Sequence, residues 1–234
     1  MEPVPGYVLH VRPYRERSAL VELLTGPQGR VGCVVRGRDG TTRPFTRLDV
    51  VLRGQGELLT AASIDEVAQY RLAPRQLALG LYLNEITYRL CPRGLPAEAL
   101  FEAYGHTLER LAGGASTEPA LRRYELTLLD TIGYGLSHEP ATADGEALRP
   151  EGLYRCHAEA GPVPADRRDA GHDACVHGST LIALAQGELA SPAVLEEAKR
   201  LLRHLIAHHL GSRPLMSRKL WRPSAGHSSV QEDP

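Results

Sequence analysis

The chain has 234 residues, of which 42% are hydrophobic and 24% charged, with a formal net charge of −1. That is the ordinary globular range, and the length suits one large domain or two modest ones. No apolar run approaches the roughly 18–20 residues of a membrane span, and Met1-Glu2-Pro3-Val4-Pro5 lacks the pattern of a signal peptide, so a cytoplasmic protein without membrane attachment is expected.

The first 70 residues read as strands. Segments 7–12, 18–24 and 30–36 are short, rich in Val and Leu, and divided by turn signals such as Gly26-Pro27-Gln28-Gly29. Segments 48–53 and 57–62 flank Gly54-Gln55-Gly56 as a hairpin. Five short strands at this spacing suit a small closed barrel, because closure removes exposed edges. An SH3-like barrel has the same periodicity.

From Pro74 the period becomes helical. A helix over 74–90 is stopped by Cys91-Pro92, a second over 96–111 ends at Gly113-Gly114, and a third over 118–132 is capped by Thr117 and closed by Gly133. Residues 136–178 lose periodicity and are rich in Gly, Pro, Asp and His. Helix resumes over 179–189. Ser191 caps an amphipathic helix over 192–210, and a short segment over 215–221 precedes a polar tail, expected to be disordered, from Pro223.

Charge is unevenly spread. Residues 1–53 hold nine arginines against five acids, and residues 198–222 hold seven Lys or Arg and no acid. Residues 54–197 hold eleven basic and twenty-one acidic residues. Phosphate responds to the local surface, so two basic regions are compatible with a neutral total. The plain alternative is that these segments are solvated faces paired with the acidic middle. In the barrel the candidate phosphate contacts are Arg12, Arg15, Arg30 and Arg36, then Arg38, Arg43, Arg47 and Arg53. The C-terminal block adds Lys199, Arg200, Arg203, Arg213, Arg218 and Lys219.

Enzymatic signatures are missing: there is no G-x-x-x-x-G-K, G-x-S-x-G or H-E-x-x-H. The four cysteines, Cys33, Cys91, Cys156 and Cys175, form no C-x-x-C, which fits free thiols in a reducing compartment. Cys156, His172, Cys175 and His177 are weak metal candidates, with His157 nearby, and zinc is not expected from so poor a spacing. His204 and His208 share a helix face but have no carboxylate beside them. Asn84 and Glu85 interrupt the most apolar helix, where a structural role is expected, capping a backbone end or pairing with an arginine. Arg122 and Arg123 lie near Glu118 and Glu125, which suits i, i+3 surface pairing or, alternatively, capture of a peptide carboxylate by a guanidinium fork.

Several motifs in consistent order resemble the RecO family of bacterial recombination mediators. They are Tyr7-Val8-Leu9-His10 with Arg12-Pro13-Tyr14-Arg15-Glu16, then Gly29-Arg30-Val31, then Leu81-Tyr82-Leu83-Asn84-Glu85. Leu121-Arg122-Arg123-Tyr124-Glu125-Leu126 with Gly133-Tyr134-Gly135, and Gly211-Ser212-Arg213-Pro214-Leu215 with Ser217-Arg218-Lys219-Leu220, complete the set. The resemblance implies an α+β multi-domain chain: an N-terminal five-stranded OB-fold barrel (1–72) followed by an α-helical domain in two parts (73–135 and 179–222) around an irregular, degenerate zinc-finger-like insert (136–178), then the tail (223–234). It implies a non-enzymatic, nucleoid-associated protein that binds and anneals single- and double-stranded DNA. It further implies recognition of the C-terminal tail of single-stranded DNA-binding protein, partnership with RecR, and indirect help in loading RecA. Arg122 and Arg123, with Arg110 and Leu111 bordering the same pocket, are the implied peptide contacts. Two departures matter: the insert lacks paired cysteines, and the loop Gly37-Arg38-Asp39-Gly40-Thr41-Thr42-Arg43 is shorter than the basic loop of relatives. They motivate an alternative, a protein-interaction adaptor with little DNA affinity.

Overall fold

The computed structural model describes residues 2–37, 42–114, 116–136 and 140–220. Five strands come first: β1 (Val4–Tyr14), β2 (Ser18–Thr25), β3 (Gly29–Arg36), β4 (Thr46–Arg53) and β5 (Leu58–Gln69). They close into a barrel in the order β1-β2-β3-β5-β4. β1 pairs antiparallel with both β2 and β4, and β3 runs parallel to β5. This is an OB-like barrel, which decides against the SH3-like alternative.

Strand alternation builds it, because successive side chains face opposite sides. Val8, Val21, Leu23, Cys33, Val35, Leu48 and Val50 form the barrel's own core. Their neighbours Tyr7, Leu9, Leu24 and Phe45 belong to a second core shared with the helices. β5 runs past the expected end at residue 62. Its later residues Ser63, Asp65, Glu66 and Val67 are exposed and carry no apolar period, but β4 pairs along them as far as Thr46 with Gln69.

The helical body comprises α1 (Pro74–Leu90), α2 (Glu98–Ala112), α3 (Glu118–Thr131), α4 (Gly178–Gln186) and α5 (Pro192–Leu210). α4 stops short of residue 189 because Gly187, at φ 72°, takes the left-handed conformation that closes a helix. The expected caps need correction: neither Thr117 nor Ser191 makes a side-chain capping bond. Instead a proline in the first two positions presets the helical φ of α3 and of α5.

The insert also differs from expectation. It holds a three-stranded antiparallel sheet of order β7-β6-β8, from β6 (Leu153–His157), β7 (Gly161–Pro164) and β8 (Cys175–His177). Strands of five, four and three residues are too short to display a period. Tertiary bonds define them: the buried Tyr154 accepts the Arg149 N–H at 2.9 Å through its hydroxyl, and Arg155 pairs with Asp169 at 2.8 Å. The tail expected to be disordered from Pro223 lies outside the described residues. Among the described residues no helix is long and apolar enough to cross a membrane.

Barrel and helices meet in a dense seam. The Tyr7 ring lies against Phe101 and Tyr104, with centroids 4.9 and 5.0 Å away. Gly105 makes room for it, since a Cβ there would sit 2.3 Å from the Tyr7 hydroxyl oxygen. The β1–β2 register shifts between Val8 and His10 and leaves Leu9 out of the ladder. Asn84 Nδ2 donates to the Leu9 carbonyl at 2.8 Å, and the Tyr104 hydroxyl donates to Asn84 Oδ1. The structural role expected of Asn84 is therefore met by the β1 backbone. Replacing Asn84 with Leu keeps the branched shape, at somewhat larger volume, and strands both partners. Global stability should fall by about 2–4 kcal/mol in urea unfolding, and a loss below about 0.5 kcal/mol would mean the bridge is not structural.

Candidate functional site

On the barrel, strand pairing sorts the arginines. Across the ladder, Arg12 pairs with Leu20, Leu20 with Val34, Val34 with Thr60, and Thr60 with Arg53. In the row above, Tyr14 pairs with Ser18 and Ser18 with Arg36. Rows two residues apart face the same way, so Arg12, Arg36 and Arg53, all exposed, share an outward band with Tyr14. Arg15, at the turn with φ 53°, stacks over Tyr14 at 5.1 Å and extends the band. Arg17, exposed in the same turn, was not among the expected residues.

The other barrel arginines are placed differently. Arg30 is half-buried: its Nε donates to the Cys91 carbonyl at 3.1 Å, Nη1 pairs with Glu22 at 3.2 Å, and the guanidinium lies over Tyr88. Arg93 pairs with the same Glu22. This network joins β2 and β3 to the segment after α1. Arg47 is half-buried, with an unpartnered buried Nε, and Arg43 is exposed 3.9 Å from Glu66. Arg38 lies outside the described residues.

In the helical body, a cavity of about 660 Å³ opens between α1, α3, α5 and the 3₁₀ turn Ser217–Leu220. Arg122 lines it and is only 2% exposed. Its Nη2 lies 3.1 Å from Glu125 and 3.9 Å from Glu118, while Nε and Nη1 are buried without a partner. Glu125 is fully buried and also accepts a hydrogen bond from the Tyr82 hydroxyl at 2.7 Å. Burial pushes the Glu125 carboxyl above its ordinary pKa, against the pull of Arg122 and the Tyr82 bond.

Lys199, Arg200, Arg203 and Arg218 add cations to the wall, and Ala78, Leu79, Leu121 and Ala207 an apolar side. Four carboxylates, of Glu118, Glu125, Asp173 and Glu196, temper the charge. Lys199 is drawn toward Glu118 at 3.4 Å, and Arg200 donates to the carbonyls of His172 and Cys175 at 3.1 and 3.3 Å. Arg203 and Arg218 are exposed. Burial and the neighbouring His172 hold the His204 pKa below the usual value, so near neutral pH the lining's positive charge comes from Lys and Arg.

Of the four expected peptide contacts, only Arg122 lines this cavity. Arg123, next along α3, is exposed and donates to the Gly187 carbonyl at 2.7 Å. Arg110 is exposed and donates to Ser116, and Leu111 is buried in the core. Lys199, Arg200, Arg203 and Arg218, read from sequence as DNA contacts, stand here instead, while Arg213 and Lys219 are exposed outside the lining. The i, i+3 pairing expected of Arg122 with Glu125 is present, but buried rather than on the surface, while Leu79 carried no signal in the sequence beyond the helical period.

The metal candidates do not assemble. Among the described residues no group of three or more His, Cys, Asp or Glu side chains is placed to hold a metal ion. Cys156 and Cys175 are both buried as free thiols, and burial with the nearby Cys175 pushes the Cys156 thiol up to about 12. His172 Nδ1 accepts the Ala174 N–H, and His177 Nδ1 lies 2.6 Å from Glu197. The residues present do not fit a zinc site.

An OB-like barrel with an outward arginine band, joined to a helical body with a cation-lined cavity, defines a class of nucleic-acid-handling architecture. Comparison with known proteins makes the assignment specific. Residues 1–70 match the family model for the recombination protein O N terminus, and residues 71–219 match that for its C terminus. The chain is 45% identical over 229 residues to the DNA repair protein RecO of Methylococcus capsulatus, covering 94% of this chain and 93% of that one. It is also 45% identical over 226 residues to the RecO of Pseudomonas entomophila, covering 94% and 97%. With the RecO of Pseudomonas aeruginosa it shares 42% identity over 220 residues, or 92% of each chain. The chain belongs to the RecO family of DNA repair proteins, with a role in recombinational repair.

The cavity rim depends on Glu85, which meets the other structural expectation. Its carboxylate accepts the N–H groups of Met216 and Ser217, both at 2.8 Å, and Arg89 lies 3.9 Å away. Partial burial works to raise its pKa, but those two N–H bonds, helped by Arg89, outweigh it and leave the pKa below 4.5. A depressed folded-state pKa gives stability that is present above the unfolded value and lost as pH falls through the folded one. Glu85→Gln should therefore cost about 1 kcal/mol at pH 7, and the deficit should shrink below pH 4.5. Urea titrations at several pH values check this, and a pH-independent deficit would exclude the carboxylate as its source.

Proposed function

We propose that this protein is a non-enzymatic recombination mediator that binds DNA on its barrel and an acidic, carboxylate-ended peptide in its helical cavity. The observation that carries the reading is Arg122: a guanidinium almost fully buried in a cavity wall with two nitrogens, Nε and Nη1, unpartnered. Buried donors need acceptors, and a carboxylate matches a guanidinium fork. The apolar side of the lining suits a bulky apolar residue next to that carboxylate. Both features fit the tail of single-stranded DNA-binding protein.

On this reading the barrel band contacts phosphate without reading base sequence, since Tyr14 is the aromatic side chain within it. Binding both single- and double-stranded DNA, the protein brings complementary strands together and anneals them. The cavity delivers it to DNA already coated, and with RecR it promotes RecA loading. Its place is the cytoplasm, at the nucleoid. Side chains supply all the named chemistry, so the role calls for no cofactor.

Arg30 and Arg47, turned away from the band, favour a second reading, an adaptor with little DNA affinity of its own. A gel shift separates the two, because an adaptor binds peptide and fails on bare DNA. For the mediator, affinity for single-stranded DNA should fall with salt at roughly −0.7 per phosphate contact, hence about −3 in log–log slope for Arg12, Arg15, Arg36 and Arg53. A flat titration would sink phosphate binding. In the cavity, Arg203→Ala should weaken binding of an acidic, Phe-ended peptide about tenfold, or about 1.4 kcal/mol. Arg123→Ala should leave it unchanged, and equal effects of the two would remove the cavity from the reading.

A further inference from the structure

We propose that the same cavity also docks the chain's own acidic segment, Gln231-Glu232-Asp233, as a built-in competitor for external peptides. The proposal rests on reading the cavity as a carboxylate site, and adds who occupies it when no partner is present.

Three observations carry it. The first is the cationic lining: Arg203 and Arg218 are exposed on it, and Arg122 is buried in the wall behind them with Nε and Nη1 unpartnered. The second is charge complementarity. After Glu197 the sequence has no acid until Glu232 and Asp233, and seven Lys or Arg precede them. Two adjacent carboxylates are thus the next charges after the chain's most basic stretch apart from His227. The third is the tether. Arg218 lines the cavity, and two residues later the described chain ends at Leu220. Twelve residues from there to Glu232 reach roughly 40 Å when extended, far more than the width of the cavity. The connecting residues 223–229 are small and polar, Pro-Ser-Ala-Gly-His-Ser-Ser. A short tether of this kind holds its end at an effective concentration on the order of millimolar. Weak contacts to Arg203 and Arg218 then suffice for partial occupancy, and an external peptide with an apolar anchor displaces the segment.

Two measurements on the full chain test this. In the first, affinity for an acidic, Phe-ended peptide is followed by fluorescence anisotropy. Glu232→Gln with Asp233→Asn should tighten it about two- to tenfold, with the gain shrinking as salt screens the charges. In the second, carbodiimide coupling joins carboxylates to amines, and the chain has two lysines, Lys199 in the cavity lining and Lys219 beside the tail. A product linking Lys199 to Glu232 or Asp233 should form at monomer mass and be suppressed by excess peptide.

Unchanged peptide affinity in the double variant overturns self-docking and leaves the cavity reading standing. Coupling at Lys219 but never at Lys199 also overturns it. Should the peptide bind neither protein, the external-peptide reading fails. The Lys199 product then decides alone, its presence supporting the docked segment and its absence refuting it.

Discussion

The structure depends on one shared core. Tyr7, Leu9, Leu24 and Phe45 leave the barrel's own interior and pack with Leu83, Phe101, Tyr104 and Leu108 of the helices. A barrel this small buries little by itself, so the helices complete it rather than merely follow it. The seam is also polar at one point: Asn84 bonds the Leu9 carbonyl that the β1–β2 register shift releases. A buried amide with two defined partners fixes one geometry, because any slip strands a carbonyl. The outward arginine band and the helical cavity therefore keep a fixed relation to each other.

The same seam divides the cations by task. Arg30 and Arg93 share Glu22 and lock the barrel to the segment after α1. Arg89 reaches the carbonyls of Leu210 and Arg213, and Arg200 those of His172 and Cys175. These arginines are structural, since their N–H groups are consumed by backbone that would otherwise lack donors. Arg12, Arg36 and Arg53 are free of such duties in the outward band. Arg122 lies between the two kinds. A buried ion pair is weak evidence of stability, since desolvation offsets much of its attraction. Here Glu125, itself held by the Tyr82 hydroxyl, pairs with one guanidinium nitrogen, while Nε and Nη1 are buried in the cavity wall without a partner.

Much of the fold was legible in sequence because it follows from period. Alternation marked β2 and β3 to within a residue and β4 to within two, though it cut β1 short at both ends, and Pro74–Leu90 and Pro192–Leu210 stand as read. What escaped was set by tertiary bonds. The later half of β5 is a strand through pairing with β4, and β6 to β8 through Tyr154 and neighbouring backbone. The site was legible only in part for the same reason. Arg122 and Arg123 are adjacent, yet one is 2% exposed and the other hydrogen-bonded on the surface. Successive residues on a helix point about 100° apart, and only the position of α5 decides which of them meets a cavity. Lys199, Arg200 and Arg203 read as a basic stripe on α5, and the sequence cannot say that the stripe faces α3.

Net charge was the least informative number. A total of −1 sets twenty-seven cations against twenty-eight acids, but the acids are spent unevenly. Glu125 is fully buried, Glu85 caps the 3₁₀ turn, and Glu197 binds His177 and Thr180 at 2.6–3.0 Å. A carboxylate held by internal donors has its charge answered locally and projects little field. An exposed arginine projects all of its own, to within a Debye length of about 8 Å at physiological salt. On the proposed reading, a polyanion approaching the barrel meets Arg12, Arg15, Arg36 and Arg53, with the exposed Glu16 beside Arg15, rather than the sum over the chain, which is how a nearly neutral protein would present a surface for phosphate.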